Sequence, residues 1–189
     1  MPRMDTNILT KTTLLAENLW LSYLNEDSVT VDATAGNGED TLFLSRLSRK
    51  VYSFDIQQEA LDNTADLLKK HERDNVVQIH DSHENMDMYV KEQPDLVVFN
   101  LGYLPDGNKS ITTKTDSTLT ALKKSLEMIR VNGLVSIVMY WGHEEGKKER
   151  QAILDFSEKL DSGKYHCVYL NMLNQKNCPP EIILITKKK

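Results

Sequence analysis

Nowhere does the chain run through the roughly 18 consecutive apolar residues that a membrane-spanning helix needs. Its first 15 residues mix Arg3, Asp5 and Lys11 with threonines and lack the apolar core of a signal peptide. The cytoplasm is therefore the expected location. Cysteine is scarce: Cys167 and Cys178 are two thiols with no histidines at ligand spacing beside them, which argues against a disulfide framework or a zinc site. No metal is expected. Positive charge is in deficit, since 23 Lys and Arg against 28 Asp and Glu leave a net charge of −5. That argues against a broad basic surface for nucleic acid, although a local basic rim stays open. No long tract is dominated by Pro, Gly and Ser, and 40% hydrophobic with 27% charged residues is the composition of a folded chain. With 189 residues, one domain over 1–189 is expected, because two would each have too small a core.

What is present is an alternation of apolar runs and helical periodicities. Residues 1–27 are expected to form a leading helical segment, with Leu14, Leu15, Leu19, Leu21 and Leu24 at helical spacing. Strands are expected at Val29–Ala33, Val51–Ile56, Val76–His80, Asp95–Asn100 and Leu134–Tyr140. Helices are expected from about Glu39, over Glu59–Lys70, over Thr118–Ile129 and over Glu144–Leu160. Asp95–Asn100 is apolar between its ends, as in a strand covered on both faces. Tyr165–Met172 and Glu181–Thr186 have no room for a crossover helix between them, so they should pair antiparallel. The pattern predicts an α/β fold with a Rossmann-like, seven-stranded, mostly parallel sheet, a C-terminal antiparallel hairpin and helices on both faces. Ligands then bind beyond the carboxyl ends of the strands. Lys187, Lys188 and Lys189 read as a solvated tail.

The strand ends carry the chemistry. The first strand runs into Gly36-Asn37-Gly38, where the backbone can approach a ligand and a helix N-terminus can attract a carboxylate. Asp55, at the end of the second strand, suits the two hydroxyls of an adenosine ribose. Asp81, Ser82 and His83 follow the third strand, where an adenine edge arrives; each is as well explained as a turn residue. After the fourth strand comes Asn100-Leu101-Gly102-Tyr103-Leu104-Pro105. There, an Asn oxygen and adjacent carbonyls can accept hydrogen bonds from an amine and aim its lone pair, while Tyr103 walls off the substrate. An ordinary Asn cap and a packed Tyr would leave the same trace.

With those residues in place, the sequence resembles the bacterial family long labelled putative rRNA methylases. Its characterised members methylate the 5-aminomethyl group of 2-thiouridine at the tRNA wobble position. The resemblance runs through Asp32-Ala33-Thr34, Gly36-Asn37-Gly38, Asp40-Thr41, Phe54-Asp55-Ile56-Gln57, His80, Ser82-His83 and Asn100 to Pro105, continuing to Lys109-Ser110-Ile111-Thr112-Thr113. It resumes at Tyr140, Gly142-His143, Gly146-Lys147, Asn174-Gln175, Asn177 and Pro179-Pro180. It implies S-adenosylmethionine as methyl donor, held by Asn37, Asp40, Asp55, Gln57, Ser82 and His83. Asn100 to Tyr103 and the loop of Lys109, Ser110, Thr112 and Thr113 would face a tRNA anticodon loop, and the protein would be a homodimer. Asp106-Gly107-Asn108 departs from the two glycines and Asp that are usual after the family's Pro.

An alkyl amine is largely protonated at neutral pH, so His143 or His83 is a candidate to take its proton. Alternatively, His83 bonds the donor and His143 caps the helix that follows it. Lys109, Lys114, Lys147 and Lys148 are candidate phosphate contacts, each more often a solvated lysine. The competing readings are a small-molecule or rRNA methyltransferase on the same fold, or a nucleotide-binding oxidoreductase or noncatalytic module.

Overall fold

The computed structural model describes residues 8–102 and 113–189. Its sheet grows outward from β1 (Val29–Asp32), which pairs in parallel with β2 (Lys50–Asp55) on one side and β4 (Leu96–Leu101) on the other. Beyond β2 lies β3 (Val76–His80), and beyond β4 lies β5 (Leu134–Met139), both parallel. Next to β5 the direction reverses. β7 (Glu181–Lys187) pairs antiparallel with β5 and with β6 (Tyr165–Leu170), giving the order β3-β2-β1-β4-β5-β7-β6. The seven strands, their mostly parallel pairing and the closing antiparallel hairpin are as the residue pattern predicts.

Period-two alternation decides which helices cover which face. Val97, Phe99 and Leu101 of β4 share one core with Val135 and Ile137 of β5, and with Ala121, Leu122 and Leu126 of α5 (Thr115–Met128) and Ile153 of α6 (Glu144–Glu158). Leu96 and Val98 point to the opposite core, beside Ala16 and Trp20 of α1 (Thr12–Trp20) and Leu44 of α2 (Glu39–Ser45). α3 (Gln58–Lys70) packs against α2, β2 and β3. By the same parity, Asn100 lies on the α1 and α2 side of the sheet.

Several expectations shift. The leading helix ends at Trp20, so Leu21 and Leu24 lie beyond it. α5 begins at Thr115 rather than Thr118, and a one-turn helix, α4 (Met86–Tyr89), follows a 3-10 turn at His83–Asn85. Four residues are too few to show a helical period in sequence. Cys178 lies between β6 and β7 at φ 55°, and both cysteines are free thiols. The terminal lysines are not simply a solvated tail. Lys187 closes β7 and donates its amine to the carbonyls of Glu127 and Ile129, and Lys188 donates to that of Ser162. Among the described residues, no helix is long and apolar enough to cross a membrane.

Candidate functional site

The strand order reverses between β1 and β4, and at their carboxyl ends lies a cleft of about 780 Å³. The turn out of β1 is folded around buried Asp32, which is fully inaccessible to solvent. Its Oδ1 accepts from the Thr34 amide at 3.1 Å and its Oδ2 from the Thr41 hydroxyl at 2.6 Å. Ser53 Oγ lies 2.9 Å from Thr41 Oγ1; because Thr41 already donates to Asp32, Ser53 is the donor of that pair. Burial pushes the Asp32 carboxyl up to about 6, against these two hydrogen bonds. This network pins the first turn of α2 to the strand and leaves Gly36 and Gly38 at φ 52° and 84°, in the region that glycine adopts freely.

The two glycines have different jobs. Gly36 lines the cleft, whereas Gly38 does not. A Cβ on Gly38 would stand 2.7 Å from Thr64 Oγ1, so that position serves close packing of α2 on α3. Asn37 lines the cleft and accepts from Asn63 Nδ2 at 3.1 Å. An anion is the sequence expectation at the start of α2. The helix spans seven residues, and its first turn carries the acidic side chains of Glu39 and Asp40.

Asp55 ends β2 and faces the cleft, with Ile56 and Gln57 beside it. Its Oδ2 accepts from the Gly36 amide at 3.0 Å and its Oδ1 from the Gln57 amide at 2.9 Å. Each carboxylate oxygen keeps a second lone pair. Asp81 is more heavily engaged: it accepts from the Ser82 amide, Asn85 Nδ2 and the Tyr89 hydroxyl, and these bonds hold its carboxyl below the usual range. Ser82 and His83 line the same wall. His83 is 8% exposed, and its Nδ1 lies 3.0 Å from the Ala33 carbonyl. A carbonyl only accepts, so Nδ1 carries the hydrogen and Nε2 bears a lone pair, which is buried without a partner. Burial lowers the His83 pKa and keeps the ring neutral.

Asn100 stands at the end of β4, its amide nitrogen held by Thr34 Oγ1 at 2.7 Å. Its side-chain Nδ2 donates to Asp40 Oδ2, and its Oδ1 is buried with no partner. The neighbouring carbonyls are already engaged: Leu101 accepts from the Tyr140 amide at 2.9 Å and Gly102 from the Thr113 amide at 3.1 Å. Leu101's side chain belongs to the core, and Gly102 lines the cleft where a Cβ would meet Tyr140 Cβ at 3.2 Å. Among these acceptors at the end of β4, Asn100 Oδ1 is thus the one left without a donor.

The other expected residues divide. Tyr103, Lys109, Ser110 and Thr112 lie outside the described residues. Thr113 and Lys114 line the cleft, and Thr113 Oγ1 donates to buried Glu149 at 2.7 Å. His143 is not among the lining residues; it sits at the N-cap of α6, its ring against Gly146, and makes no side-chain cap bond. Lys147 and Lys148 pair with Glu144 and Glu145 at 2.7 Å each. Residues assigned no role from sequence also line the cleft: Thr13 and Glu17 from α1, Thr34, Ile56 and Tyr140. Glu17 carried a signal only as the polar side of an amphipathic helix. A second cavity of about 560 Å³ shares Thr13 and Tyr140 with the cleft and adds Lys11, Met172, Gln175, Pro179 and Pro180.

The wall suits an adenosine joined to a cation. Asp55 presents free lone pairs to the cleft, Ile56 an apolar surface, and Glu17, Glu39 and Asp40 acidic side chains, with unpartnered acceptors on His83 and Asn100.

Comparison with known proteins agrees. A model of the family described as Putative rRNA methylase matches residues 51–186. The tRNA (mnm(5)s(2)U34)-methyltransferase, chloroplastic, of Arabidopsis thaliana is 33% identical over 192 residues, covering 94% of this chain and 70% of that one. The crystal structure of a putative rRNA-methylase from Clostridium thermocellum is 36% identical with a TM-score of 0.91, covering 94% of this chain and 97% of that one. A putative methyltransferase from Streptococcus mutans, solved in complex with SAH, is 40% identical with a TM-score of 0.89, covering 94% and 98%.

Proposed function

The chain belongs to the Putative rRNA methylase family and is an S-adenosylmethionine-dependent methyltransferase, and from that premise we propose that it methylates the 5-aminomethyl nitrogen of (2-thio)uridine at the tRNA wobble position. The observation that carries the reading is the orphaned Oδ1 of Asn100, buried at the end of β4. Asp40 holds the amide nitrogen of the same side chain, which fixes the oxygen as the acceptor and gives it one orientation. An amine N–H is the partner such an oxygen lacks, and holding it there orients the nitrogen lone pair. S-adenosylmethionine supplies the electrophilic methyl group.

The chain's own residues do the rest. Asp55 bonds the ribose hydroxyls, and Gly36, Asn37, Gln57 and Ser82 complete the wall around the adenosine, with His83 Nε2 accepting from it. The adjoining cavity is the acceptor side. Met172, Pro179, Pro180 and Tyr140 give it walls for a planar base, and Gln175 and Lys11 give it polar groups to read that base. A base in an anticodon loop can be splayed into such a space, which an A-form helix does not permit. The Arabidopsis relative is named for mnm(5)s(2)U34, a modified uridine of tRNA. Tyr103, Lys109, Ser110 and Thr112 belong to this reading as substrate contacts, and the expected homodimer and cytoplasmic location belong to it as well.

Asn100→Ala tests the assignment. Turnover on tRNA is expected to fall by about a hundredfold or more, while donor affinity measured by calorimetry stays within a few fold, because the lost bond forms to the acceptor. Normal turnover in that variant would refute it.

A further inference from the structure

The cleft wall built by α1, α2 and β4 is rich in acceptors and poor in positive charge. Asp40 is faced by Asp32 from β1, Glu17 from α1 and Glu39 from its own helix, and receives a side-chain hydrogen bond from Asn100 of β4. Burial, and after it the neighbouring Asp40, pushes the phenol of Tyr140, just after β5, up. Lys114 is the one lysine or arginine among the described residues lining the cleft, and His83 is held neutral by burial. Two acceptors of cleft-lining residues, Asn100 Oδ1 in this wall and His83 Nε2 after β3, are buried without partners.

S-adenosylmethionine and its demethylated product share the adenosine, the amino group and the carboxylate. They differ in one charge, the sulfonium, which becomes a neutral thioether. We propose that Asp40 is the residue through which this cleft prefers the charged donor to the neutral product, releasing a proton to solvent as the donor binds and recovering one once the product is left. The balance is simple. Donor binding converts the Asp40 carboxylic acid to a carboxylate and frees one proton. In the transfer, the carbon–sulfur bond breaks with its electron pair kept by sulfur, the new bond forms to the acceptor's lone pair, and the positive charge departs with the acceptor. Asp40 then faces no cation and takes a proton back. The inference needs the donor but not the identity of the acceptor, so it stands or falls separately from the tRNA reading.

The titration of neighbouring groups makes the step readable. The Asp40 carboxyl is pushed up to about 8, first by burial, then by Asp32 and Glu17, against the bond from Asn100. Asp32, buried beside it, is pushed up as well, so the two carboxyls oppose each other's ionisation. A cation placed beside Asp40 favours its charged form and lowers that value.

Calorimetry of S-adenosylmethionine and S-adenosylhomocysteine binding, from about pH 6 to 9 in buffers of contrasting ionisation heat, tests the proposal. Below about pH 8 donor affinity should weaken by up to about tenfold per pH unit, with close to one proton released per donor bound, and product affinity should change several-fold less. In Asp40→Asn, whose oxygen still accepts from Asn100 Nδ2, the pH slope should vanish and the donor-to-product affinity ratio at pH 8 should fall about tenfold. A purely structural role would weaken both ligands together and leave the slope intact. Glu17→Gln, which removes one facing carboxylate, should shift the midpoint of the donor's pH dependence to lower pH. Equal proton release by the two ligands, an unchanged slope in Asp40→Asn or an unmoved midpoint in Glu17→Gln would each overturn the proposal.

Discussion

The amide nitrogen of Gly36 donates to Oδ2 of Asp55 at 3.0 Å, tying the turn after β1 to the end of β2. The same carboxylate accepts from the Gln57 amide, so Asp55 shapes the wall that it also offers to the ribose. Asp55→Ala should lose donor affinity by about tenfold to a hundredfold, as expected for hydrogen bonds to a charged group. It should also lower stability by about 1–2 kcal/mol, because two amides lose their acceptor. Calorimetric titration and chemical denaturation measure the two effects; unchanged donor affinity would remove Asp55 from the site.

Gly38 meets Thr64 from the other side of the turn. With φ at 84° and no room for a Cβ, Gly38→Ala should destabilise the fold by about 2–4 kcal/mol, combining left-handed strain with overpacking. Thr64→Ala in the same chain removes the hydroxyl 2.7 Å from the added Cβ and should recover part of that loss. A fully stable Gly38→Ala protein, by denaturant melt, would contradict this packing.

The raised Asp40 carboxyl also marks the stability of the ligand-free fold. From the usual value of 3.8 up to about 8, the folded chain holds a proton that the unfolded chain has released, so stability falls as pH rises through that window. Asp40→Asn escapes the penalty. Its melting temperature should exceed that of the parent by little near pH 4 and by progressively more toward pH 8, read by thermal scans across that range. A constant difference at all pH values would show that Asp40 ionises as freely in the fold as out of it.

Much of the fold is legible in the residues because β4 and β5 are apolar on both faces and the helices between strands have clear buried sides. The reversed final pair follows from chain length alone, since the segment before Glu181 is too short for a crossover helix. The boundaries that moved have local causes. α5 starts three residues early because Thr115, Asp116 and Ser117 add no apolar residue to the period, and α4 is a single turn. At the site, glycine turns and strand ends identify Gly36, Asp55 and Asn100, because backbone geometry leaves few residues able to serve there. Orientation is not legible. His143 sits close in sequence to Tyr140, a cleft residue, yet lies at the base of α6, while Asp32 and Glu17 read as a strand end and a helix's polar side. Their importance arises from what they face across the fold, on β4 and α2, and no sequence spacing encodes that. Gly38 reads as a ligand glycine in sequence, and the fold adds a packing demand there, since a Cβ would meet Thr64.

The most direct test of the account incubates the protein with S-adenosylmethionine labelled in its methyl group and tRNA from cells lacking the wobble modification, then digests the RNA to nucleosides for mass spectrometry. The account predicts one added methyl on the aminomethyl nitrogen of the wobble uridine, absent when Asn100→Ala replaces the parent protein. Label on a base ring, on another RNA or on a small molecule, with the wobble nucleoside unchanged, would contradict it.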